Sequence, residues 1–162
     1  MTMKASEDHF MLWVISGVIG EAIRDIFDLA FKLLGIFHVG IWEIAADIFL
    51  KPPATQTFLG TVVGLFFDLL IGGMIGVAIG LLIQKTSPKH YLLKGMGTSW
   101  VVQLIFIGIL FHNLPQLENY SQGLEEQPIV IILSILVHGI YGFATAWIYG
   151  KLAKLDAVEN WS

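Results

Sequence analysis

Residues 56–84 read QTFLGTVVGLFFDLLIGGMIGVAIGLLIQ, and this stretch decides the fold class. It holds one charged residue, Asp68, in an apolar run longer than the roughly 20 helical residues that cross a bilayer core of about 30 Å. Glycine or polar residues recur at every fourth position, namely Gln56, Gly60, Gly64, Asp68, Gly72, Gly76, Gly80 and Gln84. The stretch predicts a membrane-spanning helix over 57–84 with small residues along one face.

We call the five glycines of this pattern the glycine ladder: Gly60, Gly64, Gly72, Gly76 and Gly80. A face without side chains lets another helix approach closely, and a period of four in a helix of 3.6 residues per turn favours a right-handed crossing. Packing within the chain, a homo-oligomer interface and close approach of a ligand or ion are all compatible with the ladder. A matching row of small residues, Gly142, Ala146 and Gly150, lies near the end of the chain.

Three further segments have the length of a span. Residues 92–111 contain only Lys94 as a charge, and residues 128–150 contain none. Residues 10–37 are less apolar and carry Glu21, Arg24, Asp25, Asp28 and Lys32. At 100° per residue these charges fall within an arc of about 100°, which suits a helix that turns a charged face inward.

Residues 38–50 are too short to span and predict an interfacial amphipathic helix, which the following prolines end. We therefore expect an all-α fold, a polytopic membrane helical bundle of about four transmembrane helices plus this short helix. No linker or low-complexity tract divides the 162 residues, so we expect a single domain over 1–162.

Composition supports a lipid environment, since 56% of the residues are hydrophobic and 14% are charged, against roughly 25% charged in soluble domains. The chain has no cysteine, which excludes disulfides and cysteine nucleophiles. Its net charge of −4 and lack of a basic patch disfavour nucleic acid. Metalloprotease, phosphate-loop and serine-hydrolase motifs are absent, so we expect no enzyme, no catalytic residue, no metal site and no cofactor.

The connections between the predicted spans differ in charge. The 85–94 connection holds Lys85, Lys89 and Lys94, whereas the 112–127 connection holds Glu118, Glu125 and Glu126. Because lysine and arginine concentrate in cytoplasmic loops, we expect a multi-pass protein of the inner (plasma) membrane with both termini in the cytoplasm. The first apolar segment lacks a small-residue cleavage site, so we expect it to be retained.

Each predicted span contributes polar residues at a similar depth. The candidates for this polar layer are Glu21, Arg24, Asp25, Asp28, Asp68, Gln103, His138 and Tyr141. A charge at the bilayer centre costs about 2.5–3.5 kcal/mol, so these groups should face inward, where Arg24 can bond to several carboxylates. The acids outnumber the bases even with Lys32 counted, so one or two carboxylates should be protonated, ion-bound or hydrated.

Several functions fit this pattern. The polar layer could handle protons or a small cation in a channel, transporter or accessory subunit, or it could be a structural ion network. Alternatively, the chain could be a structural or assembly partner in a larger membrane complex, or bind a lipid or hydrophobic small molecule between its helices. The expected partners are membrane lipid and either a second copy of the chain or another membrane protein.

The chain also resembles small four-span bacterial membrane proteins that have no assigned activity. The resemblance rests on the acidic first helix, the glycine ladder, and the segments Asp-Ile-Phe-Leu-Lys-Pro-Pro at 47–53, Leu-Leu-Lys-Gly at 92–95 and His-Gly-Ile-Tyr-Gly at 138–142. It implies four helices and no particular activity.

Overall fold

The computed structural model of the chain describes residues 9–51, 53–106, 109 and 128–154. Over these residues the protein is 86% helical and has no strand, which confirms the expected all-α class. The five helices within the described residues are α1 (Phe10–Leu33), α2 (Ile41–Phe49), α3 (Phe58–Thr86), α4 (Tyr91–Ile105) and α5 (Pro128–Leu152). A short 3₁₀ turn, Ala54–Gln56, joins α2 to α3.

In the part of the chain that the structure describes, two helices, α3 and α5, are long and apolar enough to cross a membrane, in agreement with the spans expected at 57–84 and 128–150. Helix α1 has 24 residues, but its charges keep it out of this class. Helix α4 has 15 residues, and most of the remainder of the span expected at 92–111 lies outside the described residues, as does the whole of the 112–127 connection. Length and composition thus support two of the four expected crossings.

Helix α1 ends at Leu33, four residues before the predicted end at 37. The reason is Gly35, whose φ of +72° is a left-handed conformation that glycine adopts without steric cost. The amides of Gly35 and Ile36 donate to the carbonyls of Lys32 and Phe31, both at 3.0 Å. These bonds satisfy the last carbonyls of the helix and turn the chain towards α2.

Helix α1 distributes its side chains in the opposite way to a helix of a soluble protein. Its exposed positions are largely apolar, among them Ile15, Ile19 and Ile26, while Glu21 and Arg24 are buried. The buried side of α1 packs against α3 and α5. The charged face predicted from the sequence therefore points into the bundle.

The glycine ladder is covered by other parts of the same chain. Helix α1 packs over the second half of α3: a Cβ added at Gly76 would lie 2.5 Å from the carbonyl oxygen of Trp13 and 2.7 Å from the Cα of Gly17. Helix α2 packs over the first half, where a Cβ at Gly64 would overlap the carbonyl oxygen of Trp42. The ladder therefore brings backbones into direct contact within one chain.

The second row of small residues packs elsewhere. A Cβ at Gly142 would overlap the carbonyl oxygen of Gly95 in α4, and one at Gly150 would lie 2.5 Å from the ring of Tyr91. Helix α5 thus uses this row against α4, and the row does not match up with the ladder.

Helix α2 lies inside the predicted 38–50 segment but is more than a surface element. Residues 44–47 are buried, and the Phe49 ring stacks on Phe67 of α3 with centroids 3.7 Å apart. Glu43 ion-pairs with Lys32 and also accepts a hydrogen bond from the amide of Gly40 at 2.9 Å. These contacts fix α2 against the bundle beside the polar layer.

Candidate functional site

Arg24 is the centre of the candidate site. Its Nη1 lies 2.5 Å from Glu21 Oε1, and its Nη2 donates to both carboxylate oxygens of Asp68, at 3.0 and 3.1 Å. Nη2 also lies 3.3 Å from Asp25 Oδ1, and Nε lies 3.6 Å from Asp28 Oδ2. We call Arg24 and these four acids the charged cluster.

Two features of the sequence build the charged cluster. Glu21, Arg24, Asp25 and Asp28 are spaced by three and four residues, which puts them on one face of α1. The ladder then makes room for them, since a Cβ at Gly72 would lie 2.5 Å from the Cβ of Glu21 and 2.6 Å from its Cγ. The same glycines that let α1 approach α3 therefore bring Asp68 to Arg24.

The cluster holds more acid than base. Lys32, which the sequence analysis counted with this set, instead ion-pairs with Glu43 and lies 5.6 Å from the Trp42 ring centroid. Four carboxylates therefore surround one guanidinium. Only Asp25 of these five residues is more than marginally accessible, with 12% of its side chain exposed.

Some carboxylate oxygens of the cluster accept no hydrogen bond. In the part of the chain that the structure describes, these include Oε2 of Glu21 and Oδ2 of Asp25, both buried. One oxygen each from Glu21, Asp25 and Asp68 also lie within 4.8 Å of one another, a spacing that can enclose a metal ion. The sequence motifs predict no metal site. The charged cluster is where that prediction can be tested.

Helices α4 and α5 contribute a second polar group, centred on Ser134. Gln103 Nε2 donates to Ser134 Oγ at 2.7 Å, and His138 Nδ1 lies 2.9 Å from the Ser134 carbonyl oxygen. Gln103 and His138 line a cavity of about 50 Å³ together with Arg24 and Asp68. Thus four of the eight candidate residues, one from each long helix, border a single cavity.

Tyr141 faces inward, as expected for a member of the polar layer, but it lies away from the cavity. Its buried hydroxyl donates to the carbonyl oxygen of Gly72 at 2.7 Å. Tyr141 therefore acts as a hydrogen-bonded contact between α5 and α3.

Helix α2 also contributes to this site, which the sequence did not lead us to expect. Ile41, Ala45 and Ile48 line the cavity, although the segment was expected only at the membrane interface. The available signal was the small pair Ala45 and Ala46, because small residues allow close packing, and in the structure Ala46 packs against Gly64.

No protein-family model matches the chain, and the comparisons with curated proteins and with solved structures likewise found no match. The geometry of the charged cluster and its cavity is therefore the guide to function.

Proposed function

We propose that the chain is a multi-pass membrane protein in which α1, α3, α4 and α5 cross the bilayer and α2 packs against the bundle near one membrane surface. The apolar length of α3 and α5 supports this proposal. Helix α1 has apolar residues on its outside and charges on its inside. This distribution supports α1 as a span too, although its composition alone would not identify it as one. Both termini lie in the cytoplasm in this arrangement, on the side of Lys85, Lys89 and Lys94.

Single cysteines test the topology cleanly, because the chain has none of its own. We expect Lys89→Cys, between α3 and α4, to react with a membrane-impermeant thiol reagent only after the membrane is opened. Pro53→Cys, between α2 and α3, should react from outside in intact cells. Equal labelling of both positions in intact cells would contradict the four-span arrangement.

We further propose that the charged cluster binds and releases protons within the membrane, as part of a channel, a transporter or an accessory subunit of one, and that the chain is not an enzyme. The observation that carries this proposal is the ratio of four carboxylates to one guanidinium in a largely buried site. A surplus of several negative charges in a low-dielectric environment is costly unless protons or cations neutralise it. Some carboxylates of the cluster therefore hold exchangeable protons.

A proton-flux assay on the reconstituted chain tests this function. With the membrane potential clamped, a pH gradient across proteoliposomes should collapse faster than across empty liposomes. Asp68→Asn and Asp25→Asn should slow the flux by about 100-fold, the range expected when a positioned proton-transfer group is lost. Glu43→Gln is the matched control, because it removes a carboxylate outside the cluster, and it should leave the flux unchanged.

Two results would refute the proton function. Wild-type flux equal to that of empty liposomes would remove its basis. A flux that survives both Asp68→Asn and Asp25→Asn would show that the protons take another route.

A small inorganic cation is the second candidate ligand, favoured by the close oxygens of Glu21, Asp25 and Asp68. A cation that binds the folded protein raises its unfolding temperature with concentration. Titration with Na⁺, Li⁺ and Ca²⁺ at constant ionic strength would then raise the melting temperature of the wild type but not of Glu21→Gln. Melting temperatures independent of these ions would leave the proton as the ligand.

A further inference from the structure

Four polar residues line the cavity beside the charged cluster. Arg24 of α1 and Asp68 of α3 belong to that cluster, and Gln103 of α4 and His138 of α5 belong to the group centred on Ser134. Apolar side chains, including those of α2, line the rest of it. Its volume of about 50 Å³ places it in the range of a small water pocket.

The hydrogen bonds of His138 and Gln103 determine which polar atoms these two residues have left to offer the cavity. A carbonyl oxygen only accepts, so the Nδ1 of His138 must donate to Ser134, which leaves Nε2 of a neutral imidazole as an acceptor. Gln103 uses its amide group as a donor to Ser134, which leaves its carbonyl oxygen as an acceptor. Two acceptors therefore line the cavity together with the Arg24 guanidinium and the Asp68 carboxylate.

We propose that this cavity is the aqueous route by which protons reach Asp68, and that neutral His138 positions the water within it. The proposal deepens the proton function above and depends on it. A water needs about 10–15 Å³ of such space and two to four polar partners, so the cavity can hold on the order of three or four waters. The same volume is too small for a lipid or an organic substrate.

The position of Arg24 favours a proton over a metal ion as the species that travels this route. Its Nη2 lies 3.0 and 3.1 Å from the oxygens of Asp68, so a metal ion on that carboxylate would be held next to the guanidinium. The charged residues that line the cavity with His138 are Arg24 from α1 and Asp68 from α3, while α4 contributes the uncharged Gln103. A proton can move from water to a carboxylate oxygen without displacing this guanidinium.

Silver accessibility tests the water in the cavity without relying on flux. Ala45 lines the cavity, whereas its neighbour Ala46 is fully buried against Gly64. We expect Ag⁺, which is small and reacts with thiols in water, to consume the thiol of Ala45→Cys in proteoliposomes and to spare that of Ala46→Cys. Equal protection of both thiols would show that the cavity is dry and would overturn the route, even if Asp68-dependent flux persists.

A flux assay tests the route itself. Ala45→Leu fills the cavity while keeping every polar group, and it should lower the flux by about tenfold or more, the factor associated with loss of a hydrogen bond to the reacting carboxylate. Gly97→Leu is the control for added bulk, because a side chain at Gly97 would meet open space. Undiminished flux in Ala45→Leu, or a silver-accessible cavity in a chain without any flux, would overturn the proposal.

The role of His138 is tested by two substitutions. Glutamine keeps a neutral acceptor, so His138→Gln should retain most of the flux. Leucine removes it, so His138→Leu should lower the flux by about tenfold. If both lower the flux equally, then protonation of the imidazole is required and water positioning is not its role; if neither does, His138 has no part in the route.

Discussion

The substitution Gly76→Ala tests whether backbone contact between α1 and α3 is what holds the charged cluster together. The added methyl group would lie 2.5 Å from the carbonyl oxygen of Trp13, 2.7 Å from the Cα of Gly17 and 2.9 Å from its nitrogen. The shortest of these distances is about 0.9 Å below the 3.4 Å at which ordinary contacts begin. All three atoms belong to the backbone, so no side-chain rotation relieves the overlap and the helices must separate.

The sign of the effect follows from two opposing terms. Alanine gains up to about 1 kcal/mol over glycine in helix propensity. Overpacking of a tight interface costs about 1–3 kcal/mol, and separation of the helices also lengthens the bonds from Arg24 to Asp68. We therefore expect Gly76→Ala to lower the free energy of unfolding by about 1–2 kcal/mol.

The matched control is Gly97→Ala on α4, where a Cβ would meet nothing within 4 Å. The propensity term acts alone there, so this variant should be more stable than the wild type by up to about 1 kcal/mol. Thermal unfolding of the purified chain in detergent, followed by circular dichroism, measures both. The reasoning is refuted if Gly76→Ala is as stable as Gly97→Ala.

Three further predictions use the same unfolding assay. Arg24→Gln should cost about 3–5 kcal/mol, because it leaves the acids without their cation, and the loss should shrink at low pH, where protonation removes their charge. Glu43→Gln should cost at most about 1 kcal/mol, since its ion pair with Lys32 is partly exposed. Tyr141→Phe should cost about 0.5–1.5 kcal/mol through the lost bond to Gly72, with proton flux unchanged.

Each of these three has an outcome that contradicts it. A pH-independent loss in Arg24→Gln would show that the acids do not need the arginine charge. A large loss in Glu43→Gln would make the α1–α2 ion pair part of the core. A change in flux with Tyr141→Phe would move the tyrosine hydroxyl from packing into the proton route.

The sequence predicts which residues form the charged cluster, but it does not predict the ratio of acidic to basic residues in it. Helical periodicity alone puts Glu21, Arg24, Asp25 and Asp28 on one face, and the cost of exposing them to lipid turns that face inward. Lys32 belongs to the same arc. It pairs with Glu43 instead, because the chain turns after Gly35 and brings Glu43 of α2 to Lys32. Pairing between helices depends on the direction of the chain after a turn. The helical periodicity of the sequence does not determine that direction.

Helix α2 illustrates a second limit. Its nine residues are too few to span and carry charges, which favours a surface helix. In the structure, α2 packs against the first half of the ladder and its side chains line the cavity. A short helix gains its position from the surface that it meets, and that surface belongs to another part of the chain.

Residues 56–84, by themselves, determined a long apolar helix with a smooth face and one carboxylate, because length, hydropathy and a four-residue period are local properties. Only the tertiary structure decided what covers that face. Helices α1 and α2 cover it. The row Gly142, Ala146 and Gly150 could also have packed there, but it packs against α4. Close packing requires complementary surfaces at matching depth, and this choice brings Asp68 to Arg24 beside the cavity.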